Sequence, residues 1–297
     1  PGALLPAGVE VVRGDIRDPR VVEHAIAGCP LVFHLAARTS HGNLPARDIY
    51  SINVEGTENV VRAAAQAGVA RLVFASTARV YGIIRNHAVR EDTPINPDSA
   101  YPSSKARGEQ IVLSHHARAG LPAVIARITS VFGPGSRSWL GLFQAIAARR
   151  FRLIGSGGNY HHPGDVSDIV EGLLLCGRAE GIEGQTYIIT GNEAMPLCDM
   201  IRMIQDEVGA KDLPRPLPAL PLLLYWRLND VLRLCGYDRL PRFDRVEFFL
   251  NDRIFDQTRA RHELGYEPKV SLKEAIRRTA DWYRSQGHLN PAPQSSA

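Results

Sequence analysis

Short apolar runs alternate with longer amphipathic stretches through the first half of the chain, a rhythm that predicts parallel strands joined by crossover helices. Residues 9–12, with Val9, Val11 and Val12, read as a strand. Asp18-Pro19 then opens a helix with a capping carboxylate and a proline in its first turn, and residues 31–35 read as the next buried strand. A long helix over about 48–67 ends at Gly68, where glycine suits a left-handed C-cap, and residues 71–75 form another strand with Ser76 and Thr77 at its carboxyl end. The stretch from Tyr101 reads as helix and 123–128 as strand, after which Gly133-Pro134-Gly135 breaks the pattern. No internal repeat is found.

The second half is more helical. Residues 218–234 are apolar over more than one helical face, with Leu222, Leu223, Leu224, Tyr225 and Trp226 in succession. Packing against 246–250 accounts for that width; an apolar substrate pocket or a lip resting on a membrane surface is the alternative. Residues 214–221 read as its linker, a helix over about 272–286 closes the fold, and the polar, proline-containing 290–297 are predicted to be disordered.

Composition narrows the class. With 297 residues, 44% hydrophobic and 22% charged, the chain has the make-up of one large globular domain or two modest lobes, which excludes general disorder. The net charge of +4 comes from scattered arginines, which argues for a solvated surface and against a nucleic-acid partner. No apolar run approaches the roughly 18 residues of a membrane span. Residues 1–8 lack the basic and apolar regions of a signal peptide. Cys29, Cys176, Cys198 and Cys235 have no paired spacing and are expected as free buried thiols in a reducing, cytoplasmic setting.

The candidate chemistry lies at Tyr101 and Lys105. A separation of four residues puts phenol and ammonium on one helical face, where the lysine charge is expected to draw the phenol towards neutrality. Thr77 supplies a hydroxyl at the carboxyl edge of the sheet, where ligands of open parallel sheets bind. The pairs His115-His116 and His161-His162 are adjacent in sequence, point apart, and are expected in surface or pocket roles, not as a metal site.

An ordered set of segments carries a resemblance. Gly14-Asp15-Ile16 follows the first apolar run, then come His34-Leu35-Ala36-Ala37, Asn53-Val54-Glu55-Gly56-Thr57, Ser76-Thr77 before Val80-Tyr81-Gly82, the Tyr101/Lys105 pair, Arg127 to Pro134, and Leu264-Gly265-Tyr266 before Trp282-Tyr283. Together they resemble the extended short-chain dehydrogenase/reductases of the NAD-dependent epimerase/dehydratase and 3β-hydroxysteroid dehydrogenase group, nearly end to end. The resemblance implies a Rossmann-like, doubly wound parallel α/β sheet, with a truncated dinucleotide-binding domain over 1–190 and a smaller, mostly helical substrate lobe over 191–297. The glycine-rich GxxGxxG turn with which this family usually begins does not occur here. Truncation is the expected reason, and a degenerate form that binds no dinucleotide is the other.

The same resemblance implies roles. Thr77, Tyr101 and Lys105 form the catalytic set, with Ser76 a neighbour of Thr77. Asn53 either bends its helix and holds a water in a proton relay or is a structural bracket. Asp15 and Ile16 contact adenine, unless Asp15 is merely a turn residue; Ala36 and Ala37 lie where backbone passes close to NAD or NADP, or pack tightly for other reasons. Lys105 would also hold the nicotinamide ribose while hydride passes between nicotinamide and a secondary carbinol or ketone carbon. No metal is required.

Substrate class is narrowed by departures. Sugar dehydratases of the family carry Asp-Glu directly after the catalytic threonine, where this chain has Ala78-Arg79. Nucleotide-sugar epimerases place asparagine and a later arginine where Ser130 and Asn159-Tyr160-His161-His162 stand. A diphosphate calls for cationic partners, so a less charged small molecule is expected. The leading expectation is an oxidoreductase of 3β-hydroxysteroid dehydrogenase or ketone-reductase type. A nucleotide-sugar 4-epimerase and a cofactor-dead binding or regulatory protein are the alternatives. The helices over 49–67 and 101–118 offer apolar faces for a homodimer.

Overall fold

The computed structural model describes residues 6, 8–39, 45–84, 88–234, 248–249 and 251–290. The chain divides into two compact units that interleave along the sequence, whereas the sequence reading divided it once, at 190. The first comprises Pro1–Gly82, Ile95–Arg127 and Leu173–Tyr187, and the second Ile83–Pro94, Ile128–Gly172 and Ile188–Ala297.

In the first unit, α1 (Pro19–Ile26) is capped by the Asp18 carboxylate, which accepts from the Arg20 amide at 3.0 Å, with Pro19 at the first helical position. β1 (Leu31–His34) follows. The predicted long helix is three pieces, α2 (Ala46–Tyr50), a π-helical turn (Ser51–Glu55) and α3 (Gly56–Ala67), ending on Gly68 with a φ of 64°. β2 (Arg71–Thr77) is buried along its whole length, as a central strand of a two-sided sheet must be. A 3₁₀ turn (Ala78–Tyr81) leads on to α4 (Ala100–Ala119), β3 (Ala123–Ile128) and, later, β7 (Thr186–Ile189). The sheet order is β1-β2-β3-β7, with β1 and β2 parallel in the register Leu31 to Arg71 through His34 to Phe74. Val22, Ile26, Val60, Val61, Leu72, Phe74, Val112 and Ile125 form the core between sheet and helices.

The expected strand over 9–12 does not form. Val9 and Val11 are about half exposed, and β1 ends the strand order with no ladder to this segment. β-rich side chains alone do not make a strand; the backbone needs a partner for its N–H and C=O groups.

The second unit contains β4 (Val131–Phe132), α5 (Leu140–Ala147), β5 (Tyr160–His161), β6 (Gly164–Asp165), the start of α6 (Val166–Arg178), β8 (Met195–Pro196), α7 (Leu197–Glu207) and α8 (Ala219–Leu234), then the helices Thr258–Leu264 and Leu272–Ser285. Phe132, Trp139, Phe143, Met200, Ile204, Ile276 and Tyr283 form its core, to which Phe248 and Phe249 add. Of the partner predicted for α8, residues 246, 247 and 250 lie outside the described residues. Leu220, Leu224, Leu228 and Val231 of α8 are more than half exposed and share one helical face. No helix among the described residues is long and apolar enough to cross a membrane.

One sequence expectation about side chains changes and another narrows. Cys176 is buried, which pushes its thiol up to about 12, but Cys29 is exposed because it follows the solvent-facing end of α1; Cys235 lies outside the described residues. Of the surface and pocket roles expected for the histidine pairs, His161 and His162 do not take the surface one, being buried and bonded to backbone: His161 Nε2 lies 2.8 Å from Phe248 O, and His162 Nε2 lies 3.1 Å from Gly191 O. Burial pulls them down to about 3 and about 4, so both rings are neutral at physiological pH. His115 lies 3.0 Å from Glu58, and His116 bonds Leu121 O at 2.8 Å.

Candidate active site

At the carboxyl end of β2 successive side chains point to opposite faces, which separates Ser76 from Thr77. The Ser76 hydroxyl donates to Glu109 Oε1 at 2.5 Å. Glu109 is also held by Arg127, Nε to Oε1 at 3.0 Å and Nη2 to Oε2 at 2.8 Å, and Arg127 Nη1 donates to the Tyr81 hydroxyl at 2.7 Å. Ser76 therefore belongs to a buried network of polar side chains. Thr77, also buried, turns the other way and caps the 3₁₀ turn, its Oγ1 accepting from the Arg79 amide at 3.3 Å.

α4 packs against β2 and brings Tyr101 and Lys105 in its first two turns. Tyr101 is half-buried. Burial pushes its phenol above the ordinary value and the Arg79 charge opposes this. Arg79, in the turn after β2, is thus a cation whose charge reaches the phenol. The Arg79 guanidinium is itself held 3.3 Å from Ser99 Oγ and 3.8 Å from Asp98.

Lys105 is almost fully buried, and its ammonium lies 4.0 Å from the centroid of the Phe74 ring. Burial pulls it down to about 7, with Glu109 pulling the other way. A lysine near neutrality is chemically useful, because it can change protonation state in the working pH range.

Asn53 sits in the π turn, and its amide is committed. Oδ1 accepts from the Arg38 amide at 2.6 Å, while Nδ2 donates to Arg38 O and to Ser104 Oγ, both at 2.9 Å. The Ser104 hydroxyl donates to Tyr101 O at 2.7 Å. The Asn53 side chain thus bonds both the segment after β1 and the turn of α4 that carries Tyr101. Ser104, a residue that sequence reasoning passed over, is legible only as the third position after a candidate tyrosine.

Of the other candidates, Ala36 and Ala37 are exposed just beyond β1. Asp15 is exposed and bound locally: Arg17 donates from its backbone N at 2.9 Å and from Nη2 at 2.6 Å, holding the carboxyl at about 2. Ile16 is half-buried over Gly56, where a β-carbon would come within 2.5 Å of Ile16 Cδ1, and Asn59 Nδ2 donates to Ile16 O at 3.1 Å. The structure therefore links Asn53 and Tyr101 through hydrogen bonds and sets Lys105 one turn on, with Thr77 at the end of the strand beneath α4. Ile16 is tied to the start of α3, and Asp15 is held locally by Arg17. Among the described residues no group of three or more His, Cys, Asp or Glu side chains could hold a metal ion.

Comparison with known proteins places these features. The chain is 31% identical over 316 residues to 3beta-hydroxysteroid-dehydrogenase/decarboxylase isoform 2 of Arabidopsis thaliana, which covers 98% of this chain and 54% of that protein; the chain thus spans about half that relative's length. It is 31% identical to the 2-alkyl-3-oxoalkanoate reductase of Stenotrophomonas maltophilia, over 93% of this chain and 87% of the reductase. It is 30% identical to the dTDP-glucose 4,6-dehydratase of Streptomyces niveus, over 92% of this chain and 75% of the dehydratase. Among solved structures, gox2253 superposes with a TM-score of 0.83 at 26% identity, covering 95% of this chain and 86% of the other. The DesIV dTDP-glucose 4,6-dehydratase of Streptomyces venezuelae, with NAD and TYD bound, superposes with a TM-score of 0.73 at 26% identity over 94% and 80% of the two chains. The model of the NAD dependent epimerase/dehydratase family matches residues 3–190, and the chain belongs to that family of extended short-chain dehydrogenase/reductases.

Proposed function

We propose that the chain carries the acid–base centre of an NAD(P)-dependent oxidoreductase that interconverts a secondary alcohol and a ketone on a substrate of low charge. The feature that carries the reading is Arg79, held in the 3₁₀ turn that Thr77 caps, whose charge opposes the rise of the Tyr101 phenol. Arg79 stands where sugar dehydratases of the family carry a carboxylate, and its charge favours the phenolate that proton removal from an alcohol needs. A carboxylate there would act on the phenol in the opposite sense. The neutral, backbone-bound state of His161 and His162 supports the same reading, because neither supplies charge for a diphosphate. The exposed apolar face of α8 agrees with an apolar substrate or contact with a membrane surface.

In this mechanism Tyr101 takes the hydroxyl proton in oxidation and gives it back in reduction, and Thr77 orients the substrate oxygen. Lys105 would hold the nicotinamide ribose. The small exposed residues Ala36 and Ala37 fit close passage of a dinucleotide, and Asp15 and Ile16 would meet the adenine. The bound dinucleotide supplies the hydride chemistry. Asn53 keeps the Arg38 backbone and the Tyr101 turn in place. General acid–base help of this kind contributes about 10²- to 10⁴-fold.

The test is calorimetry with NAD and NADP, followed by turnover on 3β-hydroxysteroids and 3-oxoalkanoates with the nicotinamide absorbance monitored. Net change in external cofactor supports the proposal. Inversion of a nucleotide sugar without such change would replace it with a 4-epimerase, and binding of neither dinucleotide would favour a regulatory protein.

A further inference from the structure

His34 ends β1 with its ring buried, only 3% exposed and tilted against Phe74 at 5.5 Å between centroids. Its Nε2 lies 2.9 Å from Thr57 Oγ1. The Thr57 hydroxyl in turn lies 2.6 Å from Asn53 O, four residues back. A carbonyl can only accept, so the threonine proton is committed to Asn53, and His34 must be the donor to the threonine oxygen. The tautomer with hydrogen on Nε2 follows from its surroundings.

This hydroxyl acts where the helix is irregular. In the π turn the Gly56 amide reaches back five residues to Ser51 O, and Thr57 Oγ1 bonds the Asn53 carbonyl that an ordinary α-helix would offer to the Thr57 amide. From Asn53 the order continues through its side-chain amide to Ser104 Oγ and from the Ser104 hydroxyl to Tyr101 O. Donor and acceptor roles agree at every step, and all of these residues lie in the first unit.

We propose that His34 is a positioning residue of the reaction centre: through Thr57 it locks the Asn53 turn, and through Asn53 it sets the spacing between the Arg38 backbone and the α4 turn that bears Tyr101. This role requires no contact of the buried imidazole with substrate or cofactor. The inference rests on the proposed oxidoreductase reading for its functional meaning, but its geometry stands apart from the reaction. Burial, with the Lys105 charge adding to it, pulls the ring down to about 3, so the donor pattern is unchanged across the working pH range.

Amide hydrogen exchange at Arg38 in the full chain tests this without turnover. In His34→Phe and Thr57→Val the Arg38 amide is expected to exchange about tenfold faster, the opening-equilibrium equivalent of one buried hydrogen bond. His34→Gln, whose side-chain amide can present an N–H at the reach of Nε2, and Thr57→Ser are expected to restore protection. A drop in kcat with little change in KM in the two damaging variants, reversed in the conservative pair, gives the functional half. Unchanged Arg38 exchange in Thr57→Val, or His34→Gln as damaging as His34→Phe, would overturn the proposal by showing that ring packing alone matters. Should His34→Phe fail to fold, the Thr57 pair decides. Altered exchange in a protein without oxidoreductase turnover would leave the positioning role standing and remove only the reaction assigned to the site.

Discussion

The Lys105 ammonium rests on the face of Phe74, 4.0 Å from the ring centroid, and Gly108, one turn on, leaves the space in which that ring lies. A β-carbon at Gly108 would come within 2.6 Å of Phe74 Cζ. Gly108→Ala must therefore push the ring and, with it, the seat of the ammonium. Overpacking of this kind costs about 1–3 kcal/mol. Alanine also gains up to about 1 kcal/mol over glycine inside a helix, so denaturant unfolding is expected to show a net loss of up to about 2 kcal/mol; a net gain near 1 kcal/mol would mean that the ring moves freely and does not hold the lysine.

Burial of Lys105 also sets a pH dependence. Its folded value is about 7, against an ordinary 10.5, so between these pH values the unfolded chain binds a proton that the folded chain does not. Stability due to this group consequently rises with pH across that window, and the cost of a buried ammonium is fully present below about pH 7. Lys105→Met removes the titration. The stability of wild type relative to this variant should climb between pH 7 and 9.5 by at most about 1.4 kcal/mol per pH unit. A flat difference would show that the ammonium keeps its charge over Phe74 through a stronger cation–π attraction than burial opposes.

Glu109 and Arg127 form a two-pronged buried ion pair that Ser76 and Tyr81 complete. Removing one partner strands the other charge, which costs about 3–5 kcal/mol, whereas replacing both with apolar groups of similar volume is often neutral. Glu109→Leu and Arg127→Met are each expected to destabilise by that amount, and the double variant by much less. Additive losses in thermal unfolding would show that the two charges do not depend on each other.

Much of this site was legible in the sequence because its signals are local. Asp18-Pro19 starts a helix, Gly68 stops one through a left-handed backbone, and the spacing of Tyr101 and Lys105 survives intact. What sequence could not show is which charge meets which group. Lys105 turns inward to Phe74 while Arg79, from a turn 22 residues before Tyr101, acts on the phenol. The valines at 9, 11 and 12 suggested a strand, but strand formation depends on a neighbour that periodicity does not reveal. Asn53 resembles a residue that bends its helix, but the form of the bend, a π turn, shows only when His34 and Arg38, distant in sequence, are brought to Thr57 and Asn53. Gly82 is explained only by the fold: its φ is 68°, and a β-carbon there would come within 2.0 Å of Asn96 O.

The link between Arg79 and Tyr101 predicts the direction of a titration. Burial raises the phenol and the guanidinium charge lowers it, so Arg79→Gln should move the Tyr101 midpoint to higher pH. The chain has nine tyrosines, and the Tyr101 signal is obtained by subtracting the ultraviolet titration of Tyr101→Phe, with Arg79→Gln compared against Arg79→Gln/Tyr101→Phe. If the phenol is the base that takes the alcohol proton, the limb of the kcat/KM profile that reports phenol ionisation shifts upward with the optical midpoint. Tyr101→Phe itself should lose about 10²- to 10⁴-fold in turnover while retaining dinucleotide binding. A midpoint that stays in place when Arg79 is removed would mean that solvent, or the Asp98 and Ser99 contacts, already neutralises the guanidinium at the phenol, and the cation could then no longer explain a preference for alcohol oxidation over dehydration.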